Sequence, residues 1–324
     1  MKNINDISAL GIAPNWPTRK TLLDWFEKTT PWSMERITEY NNRSDAKNVH
    51  NIPPHTSFGP VGARLRFKAQ ALALKCQPWE QSMRDALGYL MLGDQLNYFW
   101  HGQFRQLFPN HPQPLRSMNW ELMTEAMATA FVLGRTEEGI YQGYLTHAAL
   151  NQTYQLQLSY EERHRCGLAF MLRLFADWRG NVSHAWPEYA YGEPIYEALL
   201  EQWREPDPEA LRPWLLLACD RHTHQSQFDT DSVFYDFSSF PRIPLEILFL
   251  FRLREIVGLK NPHVEHPLMD APFDQLPSTQ LPYTPDEFVI GTLARVRKDW
   301  SNFDNAVSLK TISAFAAAPL DRYQ

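Results

Sequence analysis

The chain has 324 residues, 44% of them hydrophobic, and its 31 Lys and Arg stand against 37 Asp and Glu, a formal net charge of −6. This hydrophobic content is sufficient for a folded core and excludes a chain that is disordered throughout. The acidic balance argues against a general nucleic-acid binder, which normally has a basic surface, and is compatible with a basic protein partner.

Cysteine usage and hydropathy indicate a reduced, aqueous environment. Cys76, Cys166 and Cys219 lie far apart and form no CxxC motif, so we expect neither a disulfide framework nor a cysteine zinc module. The first residues lack the apolar core of a secretory signal, and the apolar stretches 214–219 and 243–253 are too short or too interrupted to span a bilayer. The sequence therefore predicts a cytoplasmic protein without a membrane partner.

Helical spacing of apolar residues dominates the N-terminal part of the chain. It predicts helices over 21–29, 33–41 and 63–75, and then a helix that Pro78 opens. Residues 42–62 contain Pro53, Pro54 and Pro60, and we expect an irregular connection there because proline lacks the N–H that a helix interior needs. Residues 108–114 predict a second break.

Capping residues predict the helices of the middle and C-terminal parts. Asn119 is expected to cap a helix that Gly134 stops, and Thr136 to begin the next. Further starts are predicted at a Ser159–Glu162 capping box, at Pro194, at Asp207–Pro208, at Pro244 and at a Thr284–Glu287 capping box with Pro285 as its first residue. No sustained alternation typical of strands occurs. We therefore predict an all-α multi-helix bundle, either one continuous domain or two regions, 1–115 and 116–324.

The densest polar segment is a candidate metal site. Asp220, His222 and His224 follow an apolar run, and imidazole and carboxylate groups at this spacing can bind zinc or iron, with His263 and His266 as possible additions. The competing interpretation is a helix end, where basic side chains stabilise free carbonyl groups. We favour the helix end, and expect no metal and no cofactor.

A second segment is a candidate partner-binding loop. Residues 184–191 read HAWPEYAY, and Trp186, Tyr189 and Tyr191 around the acidic Glu188 are residue types that anchor protein interfaces. The structural alternative is a loop packed by its own aromatic side chains. Asp229, Asp231 and Asp236 are further candidates for contact with a basic partner.

The segment 221–277 resembles a known family. Its order is a His-rich helix end, Tyr235-Asp236-Phe237, a proline-started apolar helix, Gly258-Leu259, and an exit through His266-Pro267-Leu268-Met269 and Leu276-Pro277. This order resembles the C-terminal part of bacterial immunity proteins that guard against polymorphic toxins of type VI secretion. The likeness is closest to the two-part helical family protecting against PoNe-type DNases. The family is expected to carry a Tyr-x-Gly-Tyr-Trp-like stretch before the apolar helix, and here Phe234-Tyr235-Asp236-Phe237 stands in its place.

The resemblance implies a function by binding, without catalytic residues. The expected partner is a cognate toxin, contacted through an acidic and aromatic surface that covers its active site or substrate groove. Two alternatives stay open: a helical metal-dependent enzyme using Asp220, His222 and His224, and a helical scaffold protein. The oligomeric state is not predicted.

Overall fold

A computed structural model describes residue 4 and residues 7–27, 31–43, 53–108, 119–152, 166–226, 236–277 and 283–317. Within these ranges the regular structure is helical and there is no strand, which confirms the all-α prediction. The predicted boundary near residue 115 and the Ser159–Glu162 capping box lie outside the described residues. In the same ranges, no helix combines the length and the hydrophobicity needed to cross a membrane.

The α-helices are numbered here in chain order. They are α1 (Arg19–Glu27), α2 (Pro31–Asn42), α3 (His55–Ala73), α4 (Glu80–Leu107), α5 (Trp120–Val132), α6 (Thr136–Gln152), α7 (Cys166–Arg179), α8 (Pro194–Gln202), α9 (Arg212–Gln225), α10 (Leu245–Ile256), α11 (Glu287–Asp299), α12 (Phe303–Ala306) and α13 (Leu309–Ala317). Short 3-10 helices occupy Glu188–Tyr191, Pro208–Ala210 and Pro267–Met269.

Several predicted helix ends are confirmed by their contacts. The Asn119 side chain accepts a hydrogen bond from the Leu122 amide at 3.2 Å and so caps α5. Gly134 follows α5 with φ +71°, a left-handed conformation that glycine adopts without steric cost. Pro194 begins α8 as expected, and Pro244 precedes α10.

The predicted connection over 42–62 is wrong in its second half, because α3 begins at His55 and contains Pro60. Pro60 lacks a backbone N–H, so α3 forms one hydrogen bond fewer at this point. Close packing against α4 offsets that loss: a Cβ on Gly62 would lie 2.6 Å from Leu90 Cγ, and one on Gly93 2.8 Å from Phe58 Cβ. The two helices therefore approach closely at two glycines, and Phe58 is fully buried between them.

Two predicted caps are displaced along the chain. The N-cap of α11 is Asp286, whose carboxylate accepts from the Phe288 and Val289 amides at 3.1 and 3.0 Å, rather than Thr284. Asp207 does act as a cap, but for the 3-10 helix Pro208–Ala210, and α9 begins separately at Arg212. Each aspartate accepts hydrogen bonds from backbone amides two or three residues later, and these bonds fix where each helix begins.

One main hydrophobic cluster joins residues from Ile37 in α2 to Ala316 in α13. Helix α10 lies at its centre, since its residues Ile247, Phe249 and Leu250 are at most 1% exposed. The core also holds charge: Arg66 of α3 forms an ion pair with Glu125 of α5, and both side chains are 1% exposed. Buried charges of this kind are tolerated only when paired, so α3 and α5 are fixed relative to each other.

Candidate functional site

His222 lies in the last turn of α9, inside the core. Its Nδ1 is 3.0 Å from both carboxylate oxygens of Glu246 on α10, and its Nε2 is 3.0 Å from the carbonyl oxygen of Phe240. The imidazole is stacked on the Phe237 ring at 4.3 Å. Both His222 and Glu246 are fully buried, so this pair joins α9 to α10 without contact with solvent.

Both ring nitrogens of His222 are engaged by protein groups. Nε2 faces the Phe240 carbonyl oxygen, and Nδ1 faces the Glu246 carboxylate. The ring therefore has no nitrogen left for a ligand.

Asp220, Thr223 and His224 hold the N-terminal segment on α9. One carboxylate oxygen of Asp220, Oδ2, accepts from the Leu10 and Gly11 amides at 3.1 and 2.9 Å. Thr223 Oγ1 accepts from the Ala13 amide at 2.9 Å, and His224 Nε2 is 3.1 Å from the Gly11 carbonyl oxygen. The polar segment thus fastens residues 10–13, which lie more than two hundred positions away in the sequence.

His266 completes this arrangement from the other side. Its Nδ1 accepts from the Leu268 amide at 3.1 Å, so Nε2 carries the proton and faces Asp220 Oδ1 at 3.3 Å. Burial lowers the pKa of His266, which keeps the ring neutral in this geometry.

The three side chains named for the metal alternative do not converge on one point. His222 points into the core, whereas His224 and Asp220 point to the N-terminal segment, and His263 is exposed. No group of three or more His, Cys, Asp or Glu side chains that could bind a metal occurs in the part of the chain that the structure describes. The predicted helix end is correct in position, but these side chains bind other segments rather than the carbonyl groups of α9.

The predicted aromatic segment divides into a packed half and an exposed half. Trp186 is partly buried, with its ring 4.6 Å from His184 and 6.2 Å from His147 in edge-on contacts. His184 Nδ1 is 2.8 Å from Asn151 Oδ1 on α6. Trp186 is thus a packing residue, as the structural alternative expected. Only the backbone of Tyr189 is described, as part of the 3-10 helix.

Tyr191 is the exposed half of that segment. Its side chain is 49% exposed, and the Arg173 guanidinium of α7 lies 4.1 Å from the ring centroid. Arg173 is itself fixed, since it donates to the Ala190 carbonyl at 2.8 Å and binds both carboxylate oxygens of Glu197 on α8. The cation supports the inner face of the aromatic ring and leaves the outer face to solvent.

Glu188 lies beside Tyr191. The two residues are three positions apart in a 3-10 helix, and such positions lie above one another because this helix has three residues per turn. Glu188 is exposed and forms no ion pair with any side chain in the described ranges. We name Glu188, Tyr191 and the supporting Arg173 the Tyr191 patch. Sequence reasoning found its first two members and missed Arg173, which lies 18 residues before Tyr191 and carries no motif.

The three predicted aspartates have different outcomes. Asp236 is 3% exposed, and its Oδ2 accepts from the Gly167 amide at 2.8 Å. It holds the start of α7 and has no surface to offer a partner, so its prediction as a contact residue is wrong. The Tyr-Asp-Phe order in the sequence gave no sign of this burial. Asp229 and Asp231 lie outside the described residues.

A pocket between α2, α3, α4 and the residues before α11 was not predicted. We name it the α2–α4 pocket; its volume is about 450 Å³. Its lining comes from distant parts of the sequence and includes Ser33, Arg64, Lys68, Asp85, Tyr89, Tyr283 and Asp286. Only the Arg64–Lys68 spacing on one helix face is visible in the sequence, and that alone is typical of a solvated surface.

Burial raises the pKa of two tyrosines in the α2–α4 pocket. Tyr89 Oη donates to Asp286 Oδ2 at 2.5 Å, and burial together with this hydrogen bond raises the pKa of Tyr89. Burial raises the pKa of Tyr283 to about 12, with Asp286 adding to the effect. Both phenols are protonated at neutral pH, and the Tyr89 phenol donates to Asp286.

Comparisons with protein-family models, curated proteins and solved structures gave no match.

Proposed function

We propose that this chain is an immunity protein that binds and neutralises a cognate bacterial toxin effector in the cytoplasm of the producing cell. The proposal combines the resemblance of segment 221–277 to the PoNe-guarding family with the net charge of −6 and the geometry of the Tyr191 patch. In this proposal the chain is not an enzyme: it covers the active site or the substrate groove of the toxin.

The observation that carries the proposal is a half-exposed aromatic ring that is already fixed in place. Tyr191 is held from behind by Arg173, which Glu197 holds in turn. A side chain that is ordered before binding loses little conformational entropy when a partner covers it, and tyrosine is among the residues that dominate interface energies. Tyr191 is therefore suited to be an anchor of the interface.

Charge favours a basic partner at this patch. Glu188 is exposed beside Tyr191, while Glu193 and Glu197 are engaged with Arg221 and Arg173. A free carboxylate at the edge of an interface attracts Lys and Arg of the partner and increases the association rate. Nucleases that bind DNA carry such basic surfaces, which fits the toxin class that the resemblance implies.

The test uses the tagged chain in its native host, followed by a growth assay. We expect one co-purifying protein in stoichiometric amount, and we expect cells that express this protein to grow only when the chain is co-expressed. The Tyr191→Ala variant should rescue growth poorly. Trp32→Ala is the matched control, because Trp32 is also 49% exposed and also lies beside an arginine, Arg36, at 5.1 Å.

Different outcomes would contradict the role of the Tyr191 patch and the immunity function. Rescue by Tyr191→Ala equal to rescue by the wild type would place the interface elsewhere on the chain. Several substoichiometric partners, none of them toxic, would overturn the immunity function and favour the scaffold alternative.

A further inference from the structure

The α2–α4 pocket is lined by two cations that have no ion-pair partner among the described residues. Arg64 and Lys68 lie four positions apart on α3 and are both exposed, and neither forms an ion pair within the described part of the chain. Arg64 is oriented by its Nε, which donates to the Phe26 carbonyl at 3.1 Å, and by stacking on the Phe26 ring at 4.6 Å. Its terminal nitrogens form no hydrogen bond with the residues that the structure describes, and they can bind a ligand.

The acidic groups of the same pocket are already engaged. Asp286 caps α11 with one carboxylate oxygen and accepts from Tyr89 with the other. Asp85 accepts from Gln81 Nε2 at 2.8 Å. The lining holds two cations and two carboxylates, and both carboxylates are engaged by other groups of the protein. A carboxylate ligand can therefore pair with Arg64 and Lys68.

A buried hydroxyl supplies an independent indication of a ligand. Ser33, in the first turn of α2, lines the pocket and is only 1% exposed, yet its Oγ has no hydrogen-bond partner among the residues described. Buried polar atoms in folded proteins are almost always hydrogen-bonded, so this hydroxyl can donate to an acceptor that reaches it. The positive end of the α2 dipole at this position also favours a negative group.

The other lining residues are mostly apolar, so the part of the ligand that contacts them should be apolar too. Phe26, Met34, Pro60, Val61 and Leu65 line the pocket beside the polar groups. Its volume of about 450 Å³ lies within the range of small-molecule sites, which runs from roughly 300 to 1,000 Å³. A bare inorganic anion would leave this apolar surface uncovered.

We infer that the α2–α4 pocket binds small organic carboxylates that have an apolar body. The carboxylate interacts with Arg64 and Lys68, the Ser33 hydroxyl is a further donor within the site, and the apolar body packs on α3. This ligand site is separate from the Tyr191 patch, and binding to the purified chain does not depend on the immunity function.

Titration of the purified full chain with octanoate tests the inference by calorimetry and ligand-observed NMR. Octanamide is the neutral probe of the same length, and inorganic phosphate is an anion without an apolar chain. We expect saturable octanoate binding that is at least about tenfold tighter than octanamide binding, because hydrogen bonds to charged groups contribute this much. Phosphate should bind more weakly than octanoate.

Variants locate the site. Arg64→Gln combined with Lys68→Gln should weaken octanoate binding by about tenfold or more, and Ser33→Ala by a smaller factor. Arg36→Gln, an exposed arginine on α2 outside the pocket lining, should leave it unchanged. The inference is overturned by equal affinity for octanoate and octanamide, by no detectable octanoate binding, or by binding that the double variant leaves intact while circular dichroism shows it folded.

Discussion

Two regions of the molecule that contain charged side chains differ in how their polar groups are satisfied. In the His222–Glu246 region, both ring nitrogens and both carboxylate oxygens have partners and no side-chain surface is exposed. In the α2–α4 pocket, Arg64 and Lys68 lack ion-pair partners within the described ranges, and the Ser33 hydroxyl lacks a hydrogen bond there. The first arrangement stabilises the fold, and the second leaves interaction energy for a ligand.

The difference shows that a dense polar motif is weak grounds for a binding site. Asp220, His222 and His224 form the densest polar motif of the sequence. In the structure, all three side chains contact other segments of the same chain. Groups without protein partners are better candidates for function, because binding a ligand does not cost them a contact within the chain.

The largest predicted effect is on the free energy of unfolding when the buried pair is broken. Glu246→Gln leaves His222 without its carboxylate in a fully buried site, and we expect a loss of about 3–5 kcal/mol in urea unfolding. Glu209→Gln is the matched control, because Glu209 pairs with Arg212 at 3.0 Å while 55% exposed, and it should cost less than about 1 kcal/mol. Equal losses in the two variants would contradict the structural role of the pair.

The second largest predicted effect is a decrease in the free energy of unfolding as the pH falls, and it comes from the buried His147. Burial lowers the pKa of His147 to about 4, so between pH 6.5 and pH 4 the unfolded chain binds a proton that the folded chain does not. Stability from this group is complete above pH 6.5 and falls as the pH decreases, by about 3 kcal/mol in total. Unfolding from pH 7.5 to 4.5 should be less pH-dependent in His147→Gln; an unchanged dependence would contradict the assignment.

A smaller effect is predicted for the attachment of the N-terminal segment. Asp220→Ala removes the acceptor of the Leu10 and Gly11 amides, and we expect a loss of about 1–3 kcal/mol. Limited proteolysis should show faster cleavage near residues 10–13 than in the wild type. Cleavage at the wild-type rate would show that other contacts hold the segment.

The smallest effect concerns the pocket cations. Arg64 and Lys68 are like charges four residues apart on a helix, so Lys68→Gln should leave the free energy of unfolding unchanged or raise it by about 0.2–0.5 kcal/mol. A loss as large as that of Glu246→Gln would mean that Lys68 stabilises the fold and would remove the contrast between the two regions. The measurement is urea unfolding at low ionic strength.

The helices were largely predictable because local physics sets them. Asn119 and Gly134 mark the ends of α5 through contacts between near neighbours. Pro60 inside α3 was not predictable, since the close approach of Gly62 to Leu90 involves a helix that begins eighteen residues later. Tertiary packing outweighed the local preference of proline there.

The candidate site was predictable only in part, for a similar reason. The residue types of the 184–191 segment indicated an aromatic surface, but exposure separates Tyr191 from Trp186, and exposure depends on the whole fold. Asp236 was chosen for its charge and is buried against α7. The α2–α4 pocket draws its lining from five segments between residues 26 and 286, and no local pattern joins them.

The measurement that tests the central proposal most directly is a parallel pull-down from the native host. The wild type, Tyr191→Ala and Trp32→Ala are compared by quantitative mass spectrometry at equal amounts of folded bait. We predict one stoichiometric partner with a toxic activity, recovered by the wild type and by Trp32→Ala and reduced by about tenfold or more with Tyr191→Ala, since a hot-spot tyrosine contributes about 2 kcal/mol or more. Equal recovery by all three baits would contradict the role of the Tyr191 patch, and no stoichiometric partner for any bait would contradict the immunity function.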